Sequence, residues 1–222
     1  DDYSAAGQAY CAFLRSPVAH GNITGIDTLA AAAADGVIAV ITGQDLRDAG
    51  VKDIPCPIGV KSRDGSAAVV PSRPAMAVGQ VKHVGDPVAA VIAETAAQAR
   101  DAAEMILLDI ESLPSVSDPV AAEKDGAPQV WDQAPGNTCL DFQWGDDDAV
   151  EKAFAAAAHV TKVELTNTRV IVSAMEPRAT VAEYDADAEK FTLHVGTQGV
   201  AGYRGAMSNM LGVEPENIAL DD

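Results

Sequence analysis

Apolar positions recur with a period of two in some stretches and with helical spacing in others, in short blocks. Tyr10 to Leu14 reads as a strand stopped by Ser16-Pro17, and Ile23 to Asp27 as another short extended piece. Asp27 can cap a short helix through the alanine run Ala30 to Ala34, which Asp35-Gly36 closes before a strand from Val37 to Thr42. From Gly50 to Arg73, proline, glycine and charge erase the periodicity and predict a long irregular loop or strand meander. Val88 to Ala93 is an apolar run short enough for a buried strand, bounded by Gly85-Asp86-Pro87. Thr95 and Gln98 have the spacing of a capping box. They predict a helix to about Met105, with Ala99, Ala102, Ala103 and Ile106 near one face. Leu107 to Glu111 follows as a strand, so this region predicts a strand–helix–strand unit on a mixed sheet.

Pro119, Pro128 and Pro135 break the segment from about Asp118 to Gly136 into a connector, with Trp131 pinning it to a domain surface. A second part begins near Asn137. Asp146-Asp147-Asp148 suit the first turn of a helix that carries Val150 and Phe154 on one face. A calcium loop is the sharper alternative there and at Asp185, Asp187 and Glu189, although the glycine and terminal glutamate of an EF-hand are missing. Val160 to Val172 supplies long β-branched strand material. Glu176 precedes Pro177 and is pushed toward an extended conformation. Arg178 therefore leads into a strand, Ala179 to Asp185, then an acidic hairpin turn, then a strand in which Phe191, Leu193 and Val195 alternate. A helix follows to about Leu211, ended by Gly212 and Pro215. The pattern as a whole predicts an α/β (α+β) chain in two unequal parts.

Composition narrows the functional classes. The chain has 222 residues, enough for one or two domains, and no apolar run reaches the length of a membrane span. Its 33 acidic residues against 15 basic ones give a formal charge of -18, which opposes phosphate backbones and anionic membranes. Neither nucleic acid nor a membrane is an expected partner. Cys11, Cys56 and Cys139 are odd in number and unpaired in spacing, so reduced thiols in the cytoplasm are the simple reading. The four histidines are scattered and predict surface or core roles rather than a metal pair. The chain opens at Asp1-Asp2 without methionine, which suggests a trimmed start.

The residues that invite chemistry lie between Met175 and Gly202. Gly196, Gly199 and Gly202 surround Gln198 where a strand gives way to a helix. A neutral amide both donates and accepts, and the free N–H groups of a helix start favour an anion. A glycine-rich surface turn and a ligand-facing turn both fit this pattern. Glu176 and Arg178 fit either a catalytic pair or a buried structural ion pair. No serine–histidine–acid set, phosphate loop or dinucleotide fingerprint is present.

Met175-Glu176-Pro177-Arg178, followed at this distance by Gln198-Gly199, resembles the start of the molybdenum-binding region in the large subunit of the xanthine dehydrogenase, aldehyde oxidase and carbon monoxide dehydrogenase family. Upstream, Val84-Gly85-Asp86-Pro87-Val88-Ala89-Ala90-Val91 and the segment from Ala102 to Pro119 resemble its alpha/beta hammerhead domain, and Arg15-Ser16-Pro17 with His20 its opening strand and turn. The resemblance implies a hammerhead domain over 1–120, a connector over 121–136, and an incomplete molybdopterin-binding domain over 137–222.

It further implies hydroxylation of an aldehyde, N-heterocycle or related substrate, or oxidation of CO, with water as oxygen source. Molybdopterin, in its cytosine dinucleotide form, would be the cofactor of the full subunit. Partner Fe-S and FAD subunits would carry 2Fe-2S clusters and flavin, in an oligomer of heterotrimers. Gln198 would set its amide beside the molybdenum centre and Gly199 would allow close approach; a carboxylate there would repel an anionic cofactor. The glutamate general base is expected beyond Asp222, so these residues are expected to be a fragment that binds no cofactor stably and is inactive alone. Two other readings stand beside this one: a non-catalytic interaction or assembly module, and an unrelated metal-binding α/β domain.

Overall fold

The computed structural model describes residues 3–167, 173–176 and 178–221. Its first part holds strands β1 (Tyr10–Arg15), β2 (Gly21–Asp27), β3 (Val37–Thr42), β4 (Gln80–Val81), β5 (Pro87–Ala93) and β6 (Leu107–Ser112), with helices α1 (Leu29–Ala32), α2 (Gly43–Asp48) and α3 (Ala96–Glu104). A short helix α4 (Pro119–Ala122) follows, then α5 (Asp147–Ala156), β7 (Thr180–Asp185), β8 (Lys190–Val195), α6 (Val200–Leu211) and β9 (Ile218–Asp221).

β5 explains the first part. Val88, Ala89, Val91 and Ala93 are fully buried, so both faces of this strand are covered. That is why its sequence is a continuous apolar run rather than an alternation. It lies between β1 and β3 and is antiparallel to both, with Tyr10 opposite Ala93 and Val40 opposite Val91. Ala89 and Val91 pack with Ala102, Ala103 and Ile106 of the α3 region, and Val88 packs with Val81 and Ala77. Ile26 of β2 touches both clusters and joins the sheet to a second one of order β4-β2-β6. Small alanines on α3 let its axis approach the sheet closely, and Thr95 caps its start by accepting from the Gln98 N–H.

The expected strand–helix–strand unit is therefore corrected. β5 and β6 flank α3 in sequence but belong to different sheets, and every pair in these two sheets is antiparallel. The parallel pair lies elsewhere, between β8 and β9 in the sheet β7-β8-β9. Residues 160–167 form no strand, and the remainder of the expected Val160 to Val172 strand lies outside the described residues.

The irregular loop after α2 is organised by the second part. The Lys52 N–H donates to the Met210 carbonyl of α6 at 2.8 Å, and the Val69 N–H donates to the Cys139 carbonyl at 2.8 Å. Arg63 donates to the Asp141 carboxylate at 2.7 Å. The connector is held as well: Lys82 donates to the Val130 carbonyl at 2.8 Å and lies 4.9 Å from the centre of the Trp131 ring. Hydrogen bonds that the loop cannot make internally are thus made to its neighbours.

Candidate cofactor site

Alternation along β7 and β8 places Leu193 in the interior, and Tyr184 and Phe191 face each other across the strands with ring centres 4.6 Å apart. The hairpin turn is set by Asp185, whose Oδ1 accepts from the N–H groups of Asp187 and Ala188 at 3.0 Å. Asp146 likewise accepts from the Ala149 N–H at 3.0 Å and caps α5. Both acidic runs thereby have local structural roles. Among the described residues no group of three or more metal-type side chains converges.

β8 delivers the chain into Gly196-Thr197-Gln198-Gly199, and α6 starts at Val200. The Gly199 N–H donates to Thr197 Oγ1 at 3.2 Å, but no side chain among the described residues caps the helix. Among the described residues the first N–H groups of α6 have no side-chain partner, and they lie at the positive end of the helix dipole. Gln198 and Gly199 are exposed. A Cβ built on Gly196, Gly199 or Gly202 would meet no atom of the described residues within 4 Å. One turn into the helix, Arg204 Nε is buried without a hydrogen-bond partner among the described residues. The far end is closed by Gly212 at φ 69, with its N–H on the Ser208 carbonyl. A neutral amide and N–H groups without a side-chain cap suit an anionic group.

Gln198 and Gly199 stand between the end of β8 at Val195 and the start of α6 at Val200. Glu176 and Arg178 do not form the expected buried ion pair: both are exposed, and no salt bridge among the described residues joins them. Pro177 of that motif lies outside the described residues. Arg204 escaped sequence reasoning because a lone arginine in a helix carries no local signal of burial. The Arg15-Ser16 and Gly85-Asp86 motifs of the first part do meet. The Ser16 N–H donates to the Asp86 carbonyl and the Gly85 N–H to the Ser16 carbonyl, both at 2.8 Å. Arg15 donates to the Gly85 carbonyl at 3.0 Å.

Fold and site together define an α/β protein in which a glycine-flanked turn leads from β8 into the start of α6. The family model described as aldehyde oxidase and xanthine dehydrogenase, a/b hammerhead domain, matches residues 1–114, and the molybdopterin cofactor-binding domain matches residues 130–222. The chain belongs to the aldehyde oxidase and xanthine dehydrogenase family. It is 34% identical over 200 residues to the nicotine 6-hydroxylase large subunit of Paenarthrobacter nicotinovorans, covering 89% of this chain and 23% of that protein. It is 28% identical to the carbon monoxide dehydrogenase large chain of Hydrogenophaga pseudoflava, covering 99% of this chain and 28% of that one. Quinoline 2-oxidoreductase from Pseudomonas putida 86 superposes with a TM-score of 0.86 at 28% identity, covering 99% of this chain and 27% of that one. The chain thus spans about a quarter of the length of these relatives.

Proposed function

We propose that this chain is the front portion of the large subunit of a molybdenum hydroxylase, and that Gln198 and Gly199 contact its molybdopterin cofactor. The observation that carries this reading is the uncapped start of α6. Open glycines and an exposed neutral amide stand there, within the span matched by the cofactor-binding domain. The bound cofactor would supply two-electron oxidation with water as the oxygen source. Gln198 would offer a donor and an acceptor without charge, Gly199 would admit the ligand to the backbone, and the first N–H groups of α6 would bind its anionic part.

By the same reading the cofactor is the cytosine dinucleotide form, and electrons leave to 2Fe-2S and FAD on partner subunits in an oligomer of heterotrimers in the cytoplasm. The organisation is a hammerhead domain over 1–120, a connector over 121–136 and the cofactor-binding start over 137–222. The substrate is an aldehyde, an N-heterocycle or a related carbon centre. Relatives named for nicotine, quinoline and carbon monoxide leave that range open.

Molybdenum and released cytosine nucleotide should be measured in the native full-length polypeptide and in Gln198→Ala and Gln198→Glu. About one molybdenum per wild-type subunit, with strong loss in Gln198→Glu and partial loss in Gln198→Ala, is expected. A wild-type subunit without molybdenum, or equal loading in all three, rejects the reading.

A further inference from the structure

His194 sits on the central strand of the sheet β7-β8-β9, and both of its ring nitrogens face carboxylates. Nε2 is 3.1 Å from Glu183 Oε1 on β7, and Nδ1 is 3.1 Å from Asp221 Oδ2 on β9. An ionised carboxylate can only accept, so each contact is a hydrogen bond only while that nitrogen carries a proton. A neutral imidazole has one N–H and would present a lone pair to one of the two acids. The doubly protonated ring satisfies both, through charge-assisted bonds.

The same ring anchors the beginning of the chain. Tyr3 stacks on His194 with centroids 3.7 Å apart and planes 17° from parallel. Its hydroxyl donates to Glu183 Oε1 at 2.7 Å. Accepting from Tyr3 and His194 holds the Glu183 carboxyl below its usual range, and donation to Glu183 raises the Tyr3 hydroxyl above its own. Strand alternation puts Asp185 of β7 and Lys190 of β8 farther along this face. Residues 3–9 form no strand or helix. Among the described residues, the other hydrogen bonds of this segment run between Ala5 and Gln8.

We propose that His194, as an imidazolium, is a positioning residue that clasps the N-terminal segment at Tyr3 onto the sheet whose central strand leads into Gln198, and that the clasp opens when His194 loses its proton. Val195 ends that strand, so the order of Gly196 to Gly199 follows the clasp. The clasp stands independently of the cofactor; its effect on cofactor retention rests on the reading proposed above.

Hydrogen exchange by mass spectrometry, normalised for intrinsic exchange, tests this on the native full-length polypeptide at about pH 5.5 and about pH 8.5. Peptides covering 3–9 and 190–199 should exchange about tenfold faster at the higher pH, the worth of one charge-assisted hydrogen bond. His194→Phe keeps a stacking ring without the charge and should leave 3–9 fast at both values. Tyr3→Ala should free 3–9 at both values while 190–199 keeps a pH response. Equal protection of wild type at both values, or an unchanged pH response in His194→Phe, overturns the proposal. Molybdenum content of the same samples is read separately. A pH response in a molybdenum-free subunit rejects the cofactor reading alone, and a loaded subunit without that response rejects the clasp alone.

Discussion

Lys82 and His20 meet at 3.3 Å, Nζ to Nε2, and this contact fixes which nitrogen of the imidazole holds its proton. An ammonium has only protons to offer, so Nε2 accepts, and Nδ1 must donate to the Pro114 carbonyl 3.0 Å away. The His20 residue is 8% exposed, so water is a poor substitute for either partner. Nitrogen-15 spectra of the histidines should show a proton on Nδ1 of His20 and an accepting Nε2. A doubly protonated His20, or the other tautomer, would contradict the arrangement.

The same ammonium donates to Gln80 Oε1 and the Val130 carbonyl and lies over Trp131. Lys82→Met keeps the apolar stem and removes those bonds, so it should cost about 2 kcal/mol and loosen the connector. Burial lowers the Lys82 ammonium below its ordinary 10.5. The folded state therefore loses that proton first, and the desolvation cost fades as pH rises from the lowered value to 10.5. Denaturant unfolding with Trp131 fluorescence checks the variant; unchanged stability and emission would show that the latch holds nothing.

How much of this was legible in the sequence depends on whether the signal was local. The helix face of Ala99, Ala102, Ala103 and Ile106 was readable because helical spacing and a threonine cap are local, and the Gly212 stop was readable for the same reason. The separation of β5 and β6 into two sheets was not, because strand partners are chosen by long-range packing around Ile26. Residues 160–167 have strand-like composition but form no strand. At the site, Gln198 and Gly199 stood out through their glycines, whereas the meeting of Tyr3, Glu183, His194 and Asp221 joins segments that no spacing rule connects.

Helix α2 starts on a local signal of the same kind. Thr42 and Asp45 form a reciprocal capping box, with the Asp45 N–H on Thr42 Oγ1 and the Thr42 N–H on Asp45 Oδ2. Thr42→Ala should cost about 1 kcal/mol in thermal unfolding. Hydrogen bonds from the Thr42 hydroxyl and N–H hold the Asp45 carboxyl below its ordinary 3.8. A depressed acid stabilises above its unfolded value and loses that contribution as pH falls through its folded one. Asp45→Asn should therefore flatten the stability curve below about pH 4; an unchanged acid limb would refute the assignment.

Two glycines should respond in opposite directions to alanine. A Cβ on Gly43 would lie 2.4 Å from the Ala77 carbonyl oxygen and 2.7 Å from that of Met76, both backbone atoms that cannot swing aside. Gly43→Ala should destabilise by about 1–3 kcal/mol. Gly205, inside α6, has nothing within 4 Å of the place a methyl group would take, so Gly205→Ala in this 222-residue chain should gain up to about 1 kcal/mol from helix propensity. Urea midpoints shifting the same way in both variants would break the contrast.

The second part exposes an unusual amount of apolar surface. Trp144 is 89% exposed and Leu165 85%, while Val150 and Phe154, the shared face of α5, are 52% and 62% exposed. Side chains so placed contribute little to the stability of this chain, because burial is what converts apolar area into free energy. Phe154→Ser should therefore leave the unfolding midpoint of the 222-residue chain within about 0.5 kcal/mol and reduce its binding of an apolar dye. Trp144 should dominate the acrylamide-quenchable, red-shifted emission, and Trp144→Phe should leave the more shielded Trp131 signal. In the full-length polypeptide the proposed continuation of the subunit would cover this surface, and Trp144 quenching should fall several-fold. Equal quenching in both lengths would mean that the rest of the subunit packs elsewhere.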